Sequence, residues 1–318
     1  MIEARGLART FTGGHGAVEA VRGVDLSVAP GEVVGFLGPN GAGKTTTLRM
    51  LTTLLAPTAG TATVAGRDLR ADPAGVRRRI GYVAQGGGTD PGVPVAEELD
   101  LQARLYGVRD RSARIAELCA QLDLEGLGRR PAGALSGGQR RRLDVALGLV
   151  HRPALLFLDE PTAGLDPQSR GNLWDHIRAM RDRDGATVFL TTHYLDEADA
   201  LCDRLLIIDR GRIVAEGTPA ELKRRVAGDV VTVELAEAAG VEGVEGARAA
   251  LAAHPAVREA AVSGGTMRLT VEDGETALMS LIRALDVAGV ELASLNLARP
   301  TLDDVFFTVT GRSLRDAA

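Results

Sequence analysis

Gly38-Pro39-Asn40-Gly41-Ala42-Gly43-Lys44-Thr45-Thr46 decides how this chain is read. The stretch fits G-x-x-x-x-G-K-[ST], a loop that wraps phosphate. The largely apolar run Glu32 to Leu37 enters it as a strand would, and Thr45 to Leu55 leaves it with helix-like composition. Each residue type has a physical task. Glycines let consecutive backbone N–H groups face one concave nest that fits phosphate oxygens. The helix starting there adds free N–H groups and the positive end of its dipole. Lys44 brings a point charge to the β- and γ-phosphates, and the Thr45 hydroxyl can take a place on Mg²⁺. A glycine-rich turn matching by chance would not need the strand before it or the helix after it. The loop alone does not say what the nucleotide is used for.

The 318 residues are enough for about two domains. Apolar content of 45% with 25% charged residues is ordinary for a globular chain with a real core. A net charge of −5 weighs against a nucleic-acid surface, which needs clustered positive charge. Cys119 and Cys202 stand far apart in no metal-like spacing and read as small buried thiols of a reducing compartment. The first residues lack a signal-peptide pattern, and no run approaches the ~18 apolar residues of a membrane span. The expectation is a cytoplasmic chain whose membrane role runs through a partner.

Upstream of the loop, Val24, Leu26 and Val28 alternate with polar neighbours as a half-buried strand does. Phe11 lies beside the glycine-rich Gly13-Gly14-His15-Gly16 and reads either as a base-stacking ring or as a core residue of the first strand. Downstream, Gly60 to Gly66 is a second β stretch. Gly81 to Ala84 is a short buried strand ending at Gln85, followed by the bare Gly86-Gly87-Gly88. The Gln85 amide there can reach a metal or a water. Residues 93–130 are helical in pattern, and Pro131 and Gly133 break them. Leu135-Ser136-Gly137-Gly138-Gln139 precedes a helix from Arg140 to Val150, with Ser136 as its N-cap. Two glycines before a helix start repeat the anion-nest logic, though an ordinary cap and turn has the same composition.

Leu155-Leu156-Phe157-Leu158-Asp159-Glu160-Pro161 reads as a central parallel strand, apolar on both faces. Its two acids fall at the C-terminal end, where open α/β sheets bind ligands. Asp159 can hold Mg²⁺, and Glu160 can orient and polarise an attacking water. Ala163-Gly164-Leu165-Asp166 follows as a turn. Val188 to Leu190 is another buried strand, and Thr191-Thr192-His193 ends it at the same sheet edge. His15, His151, His176 and His254 have no such placement and read as bystanders. Leu205 to Asp209 and Ile213 to Glu216 form a last strand pair around Arg210-Gly211.

A composition change at Lys223 to Asp229 marks a linker. Beyond it, strand and helix patterns follow in β-α-β-β-α-β order, which suggests a ferredoxin-like domain. It holds no cluster of titratable residues, so its role reads as a cap or dimer contact, or as small-ligand sensing.

Phosphate loop, Gln85, Leu-Ser-Gly-Gly-Gln, four apolar residues with Asp-Glu, then His193: that order resembles the ATP-binding cassette ATPases over residues 1–222. Ala298-Arg299-Pro300-Thr301-Leu302-Asp303-Asp304-Val305-Phe306 is similar to the C-terminal signature of the daunorubicin/doxorubicin-resistance type. The resemblance implies an α/β fold: a phosphate-loop (RecA-like) ATPase domain over 1–222, with antiparallel β and helical (about 89–150) subdomains. A linker at 223–229 and a small α+β accessory domain at 230–318 complete it. It implies a homodimer whose subunits face head to tail around two ATP molecules. Gly38, Pro39, Asn40, Gly41, Ala42, Gly43, Lys44, Thr45 and Thr46 would bind the phosphates and Phe11 the base, where the family commonly has tyrosine. Ser136, Gly137, Gly138 and Gln139 would meet the ATP of the opposite subunit, and Asp166 would lie at the seam. Thr45, Gln85 and Asp159 would hold Mg²⁺, Glu160 would be the general base, and His193 would hold the γ-phosphate and the water. Function follows as the ATPase subunit of an exporter of a drug-like or hydrophobic metabolite. It would sit on the inner face of the cell membrane through integral-membrane permease subunits, without nucleic acid. The alternatives are a soluble cassette ATPase acting on nucleic acid or the ribosome, which typically has tandem cassettes or coiled-coil insertions, and a phosphate-loop kinase or GTPase, which lacks the Ser-Gly-Gly motif.

Overall fold

The computed structural model describes residues 1–13, 16–226, 228–235, 240–252, 254–263, 266–290, 292–298 and 300–310. Gly14, His15 and Arg299, named above, lie outside them. The chain divides into two compact units, residues 1–219 and 220–313.

In the first unit, β1 (Ile2–Gly13) and β2 (Gly16–Val28) form a long antiparallel hairpin. β4 (Ala59–Val64) pairs antiparallel with β1, and β5 (Arg67–Asp68) closes this sheet in the order β2-β1-β4-β5. Val24, Leu26 and Val28 are buried while Gly23, Asp25 and Ser27 are exposed, as the alternation predicts.

The second sheet contains β3 (Val33–Leu37), β6 (Ile80–Val83), β7 (Leu155–Asp159), β8 (Thr187–Thr192) and β9 (Arg204–Asp209), all parallel. β10 (Arg212–Gly217) adds an antiparallel edge, for the order β10-β9-β3-β8-β7-β6. Arg210 and Gly211, both at positive φ, make its two-residue turn. Every residue of β3, β7 and β8 is buried, the mark of a sheet covered on both faces. The core between the two sheets is built from Ile2, Leu7, Phe36, Leu48, Val64, Phe157 and Phe189. The Phe36 and Phe157 rings each tilt against Phe189 at 5.7 Å.

Helix α1 (Lys44–Leu51) leaves the phosphate loop and stops short of the expected Leu55. Thr53 takes φ +65°, which ends the helix, and the Thr52 hydroxyl donates back to the Leu48 carbonyl. After α2 (Pro73–Arg77) come α3 (Val95–Leu105), α4 (Arg111–Gln121) and α5 (Gly137–Leu149), the expected helical region. α6 (Pro167–Asp184) and α7 (Leu195–Leu201) connect the later strands.

α8 (Pro219–Val226) takes up much of the stretch read as a linker. Lys223, Arg224 and Arg225 of that stretch lie in the last turn of this short helix. In the second unit β11 (Asp229–Leu235), α9 (Gly240–Ala252), β12 (Val257–Ser263), β13 (Thr266–Val271), α10 (Gly274–Val287) and β14 (Leu292–Ala298) follow in the predicted order. The strand order β12-β13-β11-β14, all antiparallel, is that of a ferredoxin-like sheet. Val231, Val233, Leu269, Leu251 and Leu281 form its core. α11 (Leu302–Thr310) holds the Leu302-to-Phe306 part of the C-terminal signature, with Leu302, Val305 and Phe306 buried.

Candidate active site

Because β3, β6, β7 and β8 are parallel, their C-terminal ends share one edge of the sheet. Leu37 lies beside Thr192, Asp159 beside Thr191, and Val83 beside Leu158. The phosphate loop, Gln85, the Asp159-Glu160 pair and His193 therefore leave the sheet together.

The loop is shaped by close approach. Gly43 sits at φ +107°, and a Cβ there would fall 2.6 Å from the Ala20 carbonyl oxygen. Lys44 is buried, and its Nζ donates to the Gly38 carbonyl at 2.7 Å and the Pro39 carbonyl at 3.1 Å. Burial pushes the Lys44 ammonium below its usual value, opposed by the charges of Glu160 and Asp159. Thr45 Oγ1 lies 3.1 Å from Asp159 Oδ1. Thr46 is half-buried on the first turn of α1, and Asn40 and Gly41 are exposed at the loop tip.

Glu160 is the point of convergence. Gln85 Nε2 donates to its Oε2 at 2.8 Å. Lys44 Nζ stands 3.4 Å, and His193 Nδ1 3.3 Å, from its Oε1. The His193 ring foremost, and then the Lys44 charge, hold the Glu160 carboxyl below its usual value against the opposing effect of burial. Glu160 takes φ +44°, a left-handed conformation that is costly for a residue with a Cβ. Its backbone N–H donates to Thr191 Oγ1 at 3.0 Å.

Asp159 is 1% exposed and accepts from the Thr191 hydroxyl at 2.7 Å as well as from Thr45. A carboxylate beside a hydroxyl is a hard-oxygen set that fits Mg²⁺, which is usually held by one or two carboxylates together with phosphate oxygens. No group of three or more His, Cys, Asp or Glu able to hold a metal occurs among the described residues. A cation here would draw its remaining ligands from the nucleotide and water. The Gln85 amide is turned to Glu160 instead of Asp159.

The other sequence-predicted residues are engaged with their own helices. Ser136 and Gln139 form a capping box on α5: Ser136 Oγ accepts from the Gln139 N–H at 3.2 Å, and Gln139 Oε1 accepts from the Ser136 N–H at 3.1 Å. Asp166 caps α6 by accepting from the Ser169 N–H at 2.9 Å and its hydroxyl at 2.7 Å. The two caps adjoin, since a Cβ on Gly138 would fall 2.7 Å from Ser169 Oγ. Ser136, Gly137 and Asp166 are exposed. Phe11, on β1, is 40% exposed, with the Arg9 guanidinium 4.7 Å from its ring centre. His151 stacks on Tyr106, and His176 lies 3.3 Å from Asp123, so neither takes part in the cluster.

Sequence reasoning missed three residues. Thr191 bridges Asp159 and the Glu160 backbone. Arg141 and Asp144 are both buried on α5. Thr191 was visible only as one of two strand-end threonines. Arg141 stands inside Arg140-Arg141-Arg142, which reads as a solvated basic run; an i, i+3 pair with Asp144 on the apolar side of the helix was the available signal.

A family profile described as ABC transporter matches residues 21–163, and one described as ATP-binding protein DrrA1-3-like, C-terminal domain, matches residues 217–310. The chain is 44% identical over 299 residues to the daunorubicin resistance ATP-binding protein DrrA2 of Streptomyces coeruleorubidus, covering 93% of this chain and 92% of that one. It is 43% identical over 317 residues to the daunorubicin/doxorubicin resistance ATP-binding protein DrrA of Streptomyces peucetius, covering 99% and 94%. A Nod factor export ATP-binding protein I of Burkholderia orbicola is 39% identical, with 95% of each chain covered. Among solved structures, a dimeric ATP-binding cassette in a post-hydrolysis state bound to ADP and Pi matches with TM-score 0.63 at 25% identity, over 69% of this chain and 98% of that one. Identity of 43–44% running nearly end to end reaches far beyond a shared phosphate loop, and by it the chain belongs to the ATP-binding cassette family, among the ATP-hydrolysing subunits of exporters.

Proposed function

We propose that this chain binds MgATP, pairs with a second copy of itself, and drives export of a hydrophobic, drug-like metabolite through separate permease subunits. The observation that carries the chemistry is the convergence of Lys44, Gln85 and His193 on the Glu160 carboxylate, one residue from Asp159. In phosphoryl transfer the protein contributes mostly position and charge. Glu160, kept ionised by His193 and Lys44, accepts the proton of the attacking water. Lys44 neutralises charge on the β- and γ-phosphates, and His193 orients the γ-phosphate and the water. Mg²⁺, held by Thr45 and Asp159 with Gln85 at the rim, would supply charge neutralisation on the same phosphates.

The exposed Ser136 and Gly137 at the start of α5 are free to meet the γ-phosphate of a facing subunit, with Gln139 fixing their cap and Asp166 at the seam. Phe11 offers a ring to the base. The cassette would take residues 1–222 and the accessory domain 230–318. No helix among the described residues is long and apolar enough to cross a membrane. In this reading the permease carries the translocation path, and this chain would sit at the cytoplasmic face. The drug-like substrate rests on the relatives named for daunorubicin and doxorubicin resistance.

The test is transport in inverted vesicles that contain this chain and the membrane protein encoded beside it. ATP-dependent uptake of an anthracycline is expected, and Lys44→Ala should abolish it. Uptake that survives Lys44→Ala, or that needs no membrane partner, would overturn the reading.

A further inference from the structure

We propose that Arg141 is a positioning residue that aligns Glu160 with Gln85, acting through the backbone on either side of them. The inference rests on Glu160 being the base. Arg141 lies on the second turn of α5 with its side chain buried. All three of its guanidinium nitrogens donate into one small region. Nε donates to the Pro161 carbonyl at 2.7 Å. Nη1 donates to the Ala84 carbonyl at 2.6 Å and pairs with Asp144 at 3.9 Å. Nη2 donates to the Asp159 carbonyl at 3.0 Å and the Glu160 carbonyl at 3.4 Å.

Those acceptors are not scattered core carbonyls. Ala84 is the residue before Gln85, and Asp159, Glu160 and Pro161 bracket the base. Asp144, one turn along α5, accepts from the Gly88 N–H at 3.4 Å, so the Arg141–Asp144 pair holds both ends of the 84–88 loop. The 2.8 Å bond between Gln85 and Glu160 joins two segments that share this one anchor. Glu160 also needs an anchor on its own account, because its φ of +44° is not one a glutamate adopts unaided. The Nη2 bonds hold its carbonyl side, as Thr191 holds its N–H.

The choice of arginine follows from shape. Five donors in a rigid planar fork can serve four carbonyls and a carboxylate at once, whereas a lysine ammonium has three donors at a point. Because α5 begins at Ser136-Gly137-Gly138, the same side chain ties the helix facing the second subunit to the base and to Gln85.

Arg141→Lys keeps the charge beside Asp144 but cannot reproduce the fork. In the full-length protein we expect kcat for ATP to fall at least tenfold, about 1.4 kcal/mol in barrier, while the Kd for a fluorescent ATP analogue stays within threefold. Combined with Gln85→Ala, the loss should not multiply, because both act on one alignment. A kcat within threefold of the parent, a Kd that rises in step with the lost turnover, or losses that multiply would each overturn the proposal. Should Arg141→Lys melt below the assay temperature, Asp144→Asn replaces it and must lower kcat at least threefold at unchanged Kd. Glu160→Gln is measured alongside: if it stays active the base reading fails, whereas an inactive Glu160→Gln beside an active Arg141→Lys rejects only the role of Arg141.

Discussion

At the scale of single residues, Glu160 carries three neighbours and a strained backbone, and each has a measurable consequence. Glu160→Gln keeps the shape and the Gln85 contact but removes the charge. Turnover should drop by about 10²- to 10⁴-fold, the usual worth of a positioned base, with ATP still bound in equilibrium titrations. Unchanged turnover would assign the base elsewhere. The pH dependence follows from the direction of the shift. The Glu160 carboxyl is held below its ordinary value, so the active ionised form persists to unusually low pH and is lost only as pH falls through that lowered value. Stability from the same contacts has the same sign: it is present above the unfolded-state value and disappears on acidification. His193→Ala removes the first cause of the depression and leaves Lys44 against burial. The acidic limb of kcat against pH should therefore move upward, in addition to a lower plateau. A limb that stays in place would mean that another group titrates.

Among the elements, α5 and β6 pack with no room between their backbones. The strand and helix meet at Gly81 and Gly148. A Cβ on Gly81 would fall 2.2 Å from the Gly148 carbonyl oxygen, backbone against backbone, where nothing can rotate away. Gly81→Ala should therefore push α5 from the sheet and cost roughly 1–3 kcal/mol, as overpacking does. For a unit of this size that is a fall of several degrees in melting temperature, about 2–4 °C per kcal/mol. ATPase activity should fall further than the melting point alone accounts for, because Arg141 rides on the displaced helix. Differential scanning calorimetry and turnover at a temperature well below the transition separate the two effects. A melting point equal to that of the parent would show the contact to be looser than its geometry implies.

For the whole molecule, the decisive feature is that Ser136 and Gly137 cap and begin their own helix and face solvent, while Lys44 and Glu160 hold each other at the sheet edge. In the proposed dimer a second copy would complete the site. Gly137→Glu tests this without disturbing the fold. The added Cβ meets only an ordinary 3.7 Å contact with Leu165, and an acid in the first turn suits the helix dipole. It would nevertheless set a negative charge against the γ-phosphate of the facing subunit. With ATP and Mg²⁺, Glu160→Gln should elute from a sizing column as a dimer. The double variant carrying Gly137→Glu should bind ATP as a monomer. A dimer in both would remove Ser136-Gly137-Gly138 from the interface.

What the sequence determined by itself is what short spacing encodes. The phosphate loop is legible because its glycines, Lys44 and Thr45 are contiguous, and their chemistry requires contiguity. The buried strand ending in Asp159-Glu160, the cap at Ser136 and the β-α-β-β-α-β order of the second unit are legible for the same reason: polarity period and cap residues are local signals. The tertiary structure decided what depends on residues distant in the chain. It turned the Gln85 amide to Glu160, because β6 and β7 are neighbours in the sheet. It set Thr191 between Asp159 and the Glu160 backbone, because β8 lies on the other side of β7. It chose Arg141 as the buried member of three consecutive arginines, because that position on α5 faces the carbonyls at the sheet edge. Which side chains point at which is fixed by the order of strands, and strand order leaves no mark in local composition.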